Sequence, residues 1–268
     1  MRRGRCLLFV AAALVALASA GRGRAVEIAP HRAIYAMTLS SARNESGVVD
    51  AHGMMAYQWG ETCDGWTIEQ RYRLLLRYAE RSDSDIRSSF ITWESKDGLR
   101  YRFNQTETRN GKAESEIRGA ATLEGPGEGG VAVFSKPKPQ TLNLAPGVLF
   151  PSAHTMLLIK RAQEGKTFVV RHVFDGATTE NAVEVSAVIG SKLMPDPETD
   201  KMSPLLKRPG WDVRLAFFPA DTQVEQPDYE LGMQLLDNGV SRNMLIDYGD
   251  YSIRTKLQAI EALKRPRC

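Results

Sequence analysis

From Tyr229 the apolar side chains fall on every second residue, at Tyr229, Leu231, Met233 and Leu235. A period of two is the pattern of a strand with one buried face. Asp237, Asn238 and Gly239 then supply a turn whose residues tolerate positive φ, and the alternation resumes at Met244, Ile246 and Tyr248. After Gly249 and Asp250 it returns through Tyr251, Ile253, Thr255, Leu257 and Ala259, with Ser252, Arg254, Lys256 and Gln258 between them. Three antiparallel strands in succession are predicted, because a parallel strand buried on both faces would read as a continuous apolar run. This stretch is scaffold and carries no catalytic group.

The same signals recur upstream. Strands are expected at Ala33 to Ser40, Val48 to Trp59 and Trp66 to Tyr78, the last with Trp66, Ile68, Gln70, Tyr72, Leu74 and Leu76 on one side and a mostly charged opposite face. Phe90 to Lys96 and Leu99 to Arg109 form a hairpin around Asp97 and Gly98, followed by strands at Ala113 to Thr122 and Val131 to Phe134. One helix stands out, from Pro151 or Ser152 to Gln163, with Ser152 as its cap and Gly165 as its stop. Further strands are expected at Lys166 to Phe174, Ala182 to Ile189 and Trp211 to Pro219. Between the last two, Ser191 to Gly210 holds Pro195, Pro197, Pro204 and Pro209; it reads as a long loop, either a rim or a lid. About a dozen strands with closely spaced turns describe a mainly β chain, a barrel-like domain or a sandwich.

The first twenty residues have the form of an export leader. Arg2, Arg3 and Arg5 precede an apolar run from Leu7 to Leu17, and Ala18, Ser19 and Ala20 form a small-residue cleavage site. The run is shorter than the roughly 20 residues a membrane span requires. The expected division is therefore a signal peptide at 1–20 and one β-rich domain at 21–268, exported without a transmembrane anchor. Subtracting the leader's three Arg from the 35 Lys and Arg leaves 32 basic against 32 acidic residues. A balanced chain of this kind has no general attraction for nucleic acid. The leader also removes Cys6, leaving Cys63 and Cys268. In an oxidising compartment two such cysteines read as a disulfide, the alternative being two free thiols.

Chemistry is harder to find. The four histidines, at 31, 52, 154 and 172, lie outside metal-ligand spacing of one another and of the cysteines, so no metal site is expected. The glycine-rich run Gly125 to Gly130 lacks the Lys and Ser or Thr of a phosphate loop, so no nucleotide cofactor is expected. There is no nucleophile elbow. What remains is apolar capacity in the strands, including Met54, Met55, Trp59, Trp66, Trp211, Phe217 and Met233. These residues either pack a core or line a cavity for an acyl chain or other hydrophobic ligand, with Met37, Trp93, Tyr101, Phe103 and His154 as the candidate ligand-binding set.

The run Asp247, Tyr248, Gly249, Asp250 and Tyr251, the preceding Ser241 and Arg242, the Leu-containing tail and the terminal cysteine resemble the EipB-like family. Its members are periplasmic cell-envelope integrity proteins of alphaproteobacteria. The similarity continues through Phe150 to Thr155 and Tyr35, covering most of the chain after the leader. The resemblance implies a many-stranded, strongly curved sheet wound like a spiral around one helix, similar to periplasmic lipoprotein carriers. It also implies the Cys63 to Cys268 bond. The expected function is non-enzymatic support of the envelope from the periplasm, through a lipid or acyl ligand, a lipoprotein or a protein partner. The alternative is an enzyme acting on envelope material with His154 as acid and base.

Overall fold

Fourteen strands form one antiparallel sheet in a computed structural model that describes residues 26–219 and 225–268. The leader lies outside the described residues. The first eight strands make a continuous meander: β1 (His31–Ala42), β2 (Val48–Glu61), β3 (Gly65–Tyr78), β4 (Ser84–Ser95), β5 (Arg100–Arg109), β6 (Lys112–Leu123), β7 (Gly130–Lys136) and β8 (Gln140–Leu144). Helix α1 (Pro151–Gln163) follows. A second meander comprises β9 (Phe168–Val173), β10 (Val183–Lys192), a one-turn helix α2 (Pro197–Asp200), β11 (Gly210–Phe218), β12 (Tyr229–Leu236), β13 (Ser241–Asp247) and β14 (Tyr251–Ala262). The two meanders join where β14 pairs with β1, which places β8 and β9 at the edges.

The sheet is not closed, but its edges approach one another. Leu149, just after β8, bridges to Val173 of β9, and the side-chain amides of Gln140 and Asn181 donate across the gap to the carbonyls of Thr179 and Asn143. These contacts occupy edge positions that would otherwise invite another strand.

Each strand turns its apolar positions inward. Trp66, Leu74 and Leu76 of β3 are buried, as are Tyr101 and Phe103 of β5 and Val213 and Leu215 of β11. The interior divides into three apolar clusters: one around α1 with β9 to β11, one across β1 to β3 and β14, and one aromatic cluster on β5 to β8. In the last, Tyr101 stacks on Phe150 with ring centres 5.0 Å apart.

The proline-rich stretch after β10 is folded into the body of the protein. Leu206 is fully buried in the same cluster as Tyr35 and Leu236. The buried guanidinium of Arg242 donates to Asp200 Oδ1 and to the Leu206 carbonyl, both at 2.6 Å. A buried charge held by several acceptors is strongly destabilising to unpair. The stretch is thus anchored beside the β12 to β13 turn through Leu206 and Arg242, while most of its other residues are exposed.

Candidate functional site

Cross-strand pairing sets inward-facing residues in rungs. One rung runs Tyr35, Met55, Tyr72, Ser88 and Glu107 across β1 to β5; the next runs Ala33, Tyr57, Gln70, Phe90 and Gln105. Here the inner face changes from close-packed aliphatic groups to aromatic and polar ones. The interior opens into a cavity of about 530 Å3, a volume typical of small-molecule sites. The facing wall comes from β12 and β13, with Tyr229, Leu231, Met233 and Leu235 opposite Met244 and Ile246. Helix α1 reaches the cavity only through Thr155. A 13-residue helix is about 20 Å long, whereas 14-residue strands such as β2 and β3 run about 46 Å. One helix therefore does not fill the coil, and the cavity is the unfilled remainder.

The segment after β9 places an acid on this cavity. Gly176 has φ +68°, and a Cβ there would lie 2.5 Å from the Phe103 ring, so only glycine lets the chain pass so close to the aromatic cluster. Its neighbour Asp175 lines the cavity. Asp175 Oδ1 accepts from the Ala177 N–H at 2.9 Å, and its backbone carbonyl accepts from the Tyr101 hydroxyl at 2.9 Å. Among the described residues no cation lies within salt-bridge distance of its carboxylate. Burial pushes the Asp175 carboxyl up from its ordinary value.

Glu107 is the second acid. The Tyr72 hydroxyl donates to it at 3.4 Å, and Arg109 Nη2 stands 3.8 Å away while Arg109 Nε donates to both oxygens of Glu114 at 2.8 to 2.9 Å. Burial and the neighbouring Glu114 raise the Glu107 carboxyl above its ordinary value. The tyrosine hydroxyls differ among themselves. Tyr35 donates to the Ser241 carbonyl at 2.7 Å, whereas the Tyr57 hydroxyl has no protein partner among the described residues. Trp59 Nε1, on the same wall, is also without one. An aromatic file runs from Phe217 to Tyr229 at 4.3 Å, on to Tyr248 at 6.3 Å and to Tyr251 at 5.2 Å.

Beyond the cavity, the start of α1 is held from the sheet. The cap position is Phe150, which offers no side-chain acceptor. Glu94 of β4 takes that role from 58 residues away: its Oε2 accepts from the Ser152 N–H at 2.7 Å and its Oε1 from the Ala153 N–H at 2.8 Å. Ser152, expected as the cap, instead lies buried in the first turn. Only 1% of Glu94 is exposed, and desolvation outweighs the two N–H bonds, so its carboxyl is pushed up to about 7.

The EipB-like family model matches residues 22–264, nearly the whole chain. The chain belongs to the EipB-like family. It is 34% identical over 248 residues to the cell envelope integrity protein EipB of Brucella abortus, covering 91% of this chain and 87% of that protein. It is also similar to a crystal structure from Brucella abortus described as a beta-barrel-like protein of a domain of unknown function. That match has a TM-score of 0.83 at 33% identity and covers 90% of this chain and 100% of the other.

In this EipB-like chain Cys63 and Cys268 are bonded, with Cα atoms 5.7 Å apart and 205 positions between them. In the chain-entropy view, closing a loop of this length restricts the unfolded state by up to roughly 5 kcal/mol. Arg265 reinforces the clamp: it bonds Glu61 at 2.9 Å, Glu27 at 3.0 Å and the Ile28 carbonyl at 2.9 Å. Arg265 thereby ties the C-terminal segment to the start of the chain and to the end of β2.

The five residues named from sequence as ligand-binding do not line the cavity. Met37, Tyr101 and Phe103 are packed in the core clusters. Trp93 faces outward under Arg102, whose guanidinium lies 5.0 Å from its ring. His154 is buried in α1, and its Nε2 has no hydrogen-bond partner. Burial and the nearby charge of Arg171 hold the His154 imidazole down to about 4. No carboxylate, hydroxyl or thiol among the described residues engages Nε2, so the acid and base pairing expected of an enzyme centred on His154 is not formed. The lining residues Tyr57, Gln70, Gln105 and Glu107 were missed. Their signal is a polar or amphipathic side chain on the inward parity of a strand that is otherwise apolar there.

Proposed function

We propose that this protein supports the integrity of the cell envelope from the periplasm by holding a hydrophobic or amphiphilic ligand, such as the acyl portion of a lipid or lipoprotein, in the cavity without transforming it. The observation that carries the reading is the cavity itself, a chamber inside a long coiled sheet whose apolar and aromatic surface is interspersed with polar groups, as suits an amphiphile. A leader-like N-terminus and a disulfide fit an oxidising compartment outside the cytoplasm. The relative from Brucella abortus is named for envelope integrity. Among the described residues no helix is long and apolar enough to cross a membrane.

The test uses a variant that fills the chamber. Leu231→Trp adds an indole to the cavity wall. The native protein, isolated gently and extracted, is expected to release a hydrophobic ligand detectable by mass spectrometry, and the variant to release little. In cells lacking the gene and challenged with detergents or cell-wall antibiotics, the variant at equal abundance should fail to restore survival. Full restoration by Leu231→Trp would show that the chamber is dispensable and move attention to partner proteins on the outer surface.

A further inference from the structure

Granted that the cavity holds a ligand, as proposed above, the geometry points to an amphiphile with a cationic head, an aliphatic chain ending in an ammonium group, and not to a fatty acid or a phosphate-bearing lipid. Among the described residues the charged side chains on the cavity wall are Asp175 and Glu107, both acids, and neither Lys, Arg nor His lines it. An anionic head would enter a poorly solvated space facing two carboxylates, with no cation on the described lining to receive it, which is unfavourable on both grounds. A cation would supply what the wall lacks.

Asp175 is the better placed of the two. One of its oxygens takes the Ala177 N–H, and the other has no protein donor among the described residues. The residue is only partly exposed, and it lies on the cavity. Arg109, whose Nη2 stands 3.8 Å from Glu107, is outside the lining and shares its Nε–H between the two oxygens of Glu114. The rings of Tyr57, Trp59, Tyr229 and Tyr248 belong to the same wall. Aromatic faces attract ammonium groups, most strongly where water is excluded. Carboxylates and aromatic faces together are the composition of an organic-cation site, while Leu231 and Met233 offer the surface for its chain.

The experiment uses the purified chain without its leader and a neutral fluorescent naphthylamine as reporter. Dodecyltrimethylammonium, dodecylammonium, dodecanol and dodecanoate are compared as displacers below their micelle concentrations. The two ammonium compounds should displace the reporter at concentrations about tenfold lower than dodecanoate, the factor that corresponds to one desolvated cation contact. In Asp175→Asn that advantage should shrink by about tenfold while dodecanol is unaffected, because a neutral side chain no longer complements the charge. Should the variant fold poorly, the ranking of displacers on the native protein decides alone. Dodecanoate binding as tightly as the ammonium compounds, or an ammonium preference unchanged in Asp175→Asn, would overturn the cationic assignment and leave the cavity reading standing. Failure of the reporter and dodecanol to enter at all, or their equal entry into Leu231→Trp, would overturn the cavity reading and this assignment with it.

Discussion

Glu94 and Asp175 are both carboxylates beside the buried ring of Tyr101, the first on β4 and the second in the segment after β9. At Glu94 each oxygen is taken by a backbone N–H of the first turn of α1. At Asp175 one oxygen serves the local turn, the other has no side-chain or neighbouring donor among the described residues, and the residue lines the cavity. Both carboxyls are pushed up by burial. The first uses its costly position to fix a helix in a sheet, and the second keeps bonding capacity in reserve. Burial alone therefore does not separate a structural acid from a binding one; the number of oxygens already engaged does.

Glu94→Ala tests the first half of that contrast and carries the largest expected effect. It strips two buried N–H groups of their acceptor and leaves a void beneath α1. At about 1 to 3 kcal/mol for each unsatisfied donor, a loss near 4 kcal/mol is expected. The urea midpoint of unfolding reports it. A loss under 1 kcal/mol would mean that water or a neighbouring group replaces the carboxylate.

The next effect is a pH dependence hidden in the native protein. Glu94 rises from 4.5 in the unfolded chain to about 7 when folded, so between those values only the folded state holds its proton, and stability falls as pH rises through the window. His154 drops from 6.5 to about 4, so only the unfolded state holds that proton, and stability falls as pH is lowered through its window. The two slopes oppose each other between pH 4.5 and 6.5. His31, lowered by burial, adds to the His154 side, and Asp175, raised by burial, to the Glu94 side. The native profile should be nearly flat there. Glu94→Gln should become more stable relative to its own pH 4.5 value by up to about 3 kcal/mol at pH 6.5, and His154→Gln less stable by a similar amount. Denaturant midpoints at four pH values decide it. Parallel profiles in all three proteins would refute the assignment of these two groups.

Asp175→Asn belongs to the other half of the contrast. The asparagine keeps an acceptor for the Ala177 N–H and removes a charge that burial disfavours, so at neutral pH stability should hold or rise by about 1 kcal/mol while cation binding falls. A loss above 1 kcal/mol would place Asp175 with Glu94 as a structural acid.

How much of this was legible in the residues follows the same division. Local signals worked: the period of two located the strands of both meanders, Asp97-Gly98 and Asp237-Asn238-Gly239 marked hairpin turns, and Gly165 ended α1. Strand β8 was hidden among Pro137 and Pro139, which suppress the strand signal around Gln140 to Leu144. Signals that require a distant partner were silent. Alternation does not reveal that β1 pairs with β14, nor that Glu94 reaches Ser152. Cavity residues were the hardest, since Met37 and Met55 have the same chemistry and differ only in what stands opposite them. Polar residues on the inward parity, Gln70 among Trp66, Ile68 and Tyr72, were the available clue.

The smallest effect compares two tyrosines in adjacent strands of the same wall. The Tyr35 hydroxyl donates to the Ser241 carbonyl at 2.7 Å, tying β1 to the start of β13. Tyr35→Phe should therefore lower stability by about 1 kcal/mol, the usual net value of one hydrogen bond. Tyr57, one rung away, has a hydroxyl with no protein partner among the described residues, and Tyr57→Phe should leave the unfolding midpoint within about 0.5 kcal/mol of native. Ligand occupancy should invert the ranking. With a polar-headed amphiphile bound, the free Tyr57 hydroxyl can engage it, whereas the Tyr35 hydroxyl is already committed. The ligand-induced rise in melting temperature should then shrink in Tyr57→Phe and persist in Tyr35→Phe. Equal shrinkage in both would show that the bonding state of a group on the chamber wall does not predict which groups meet the ligand.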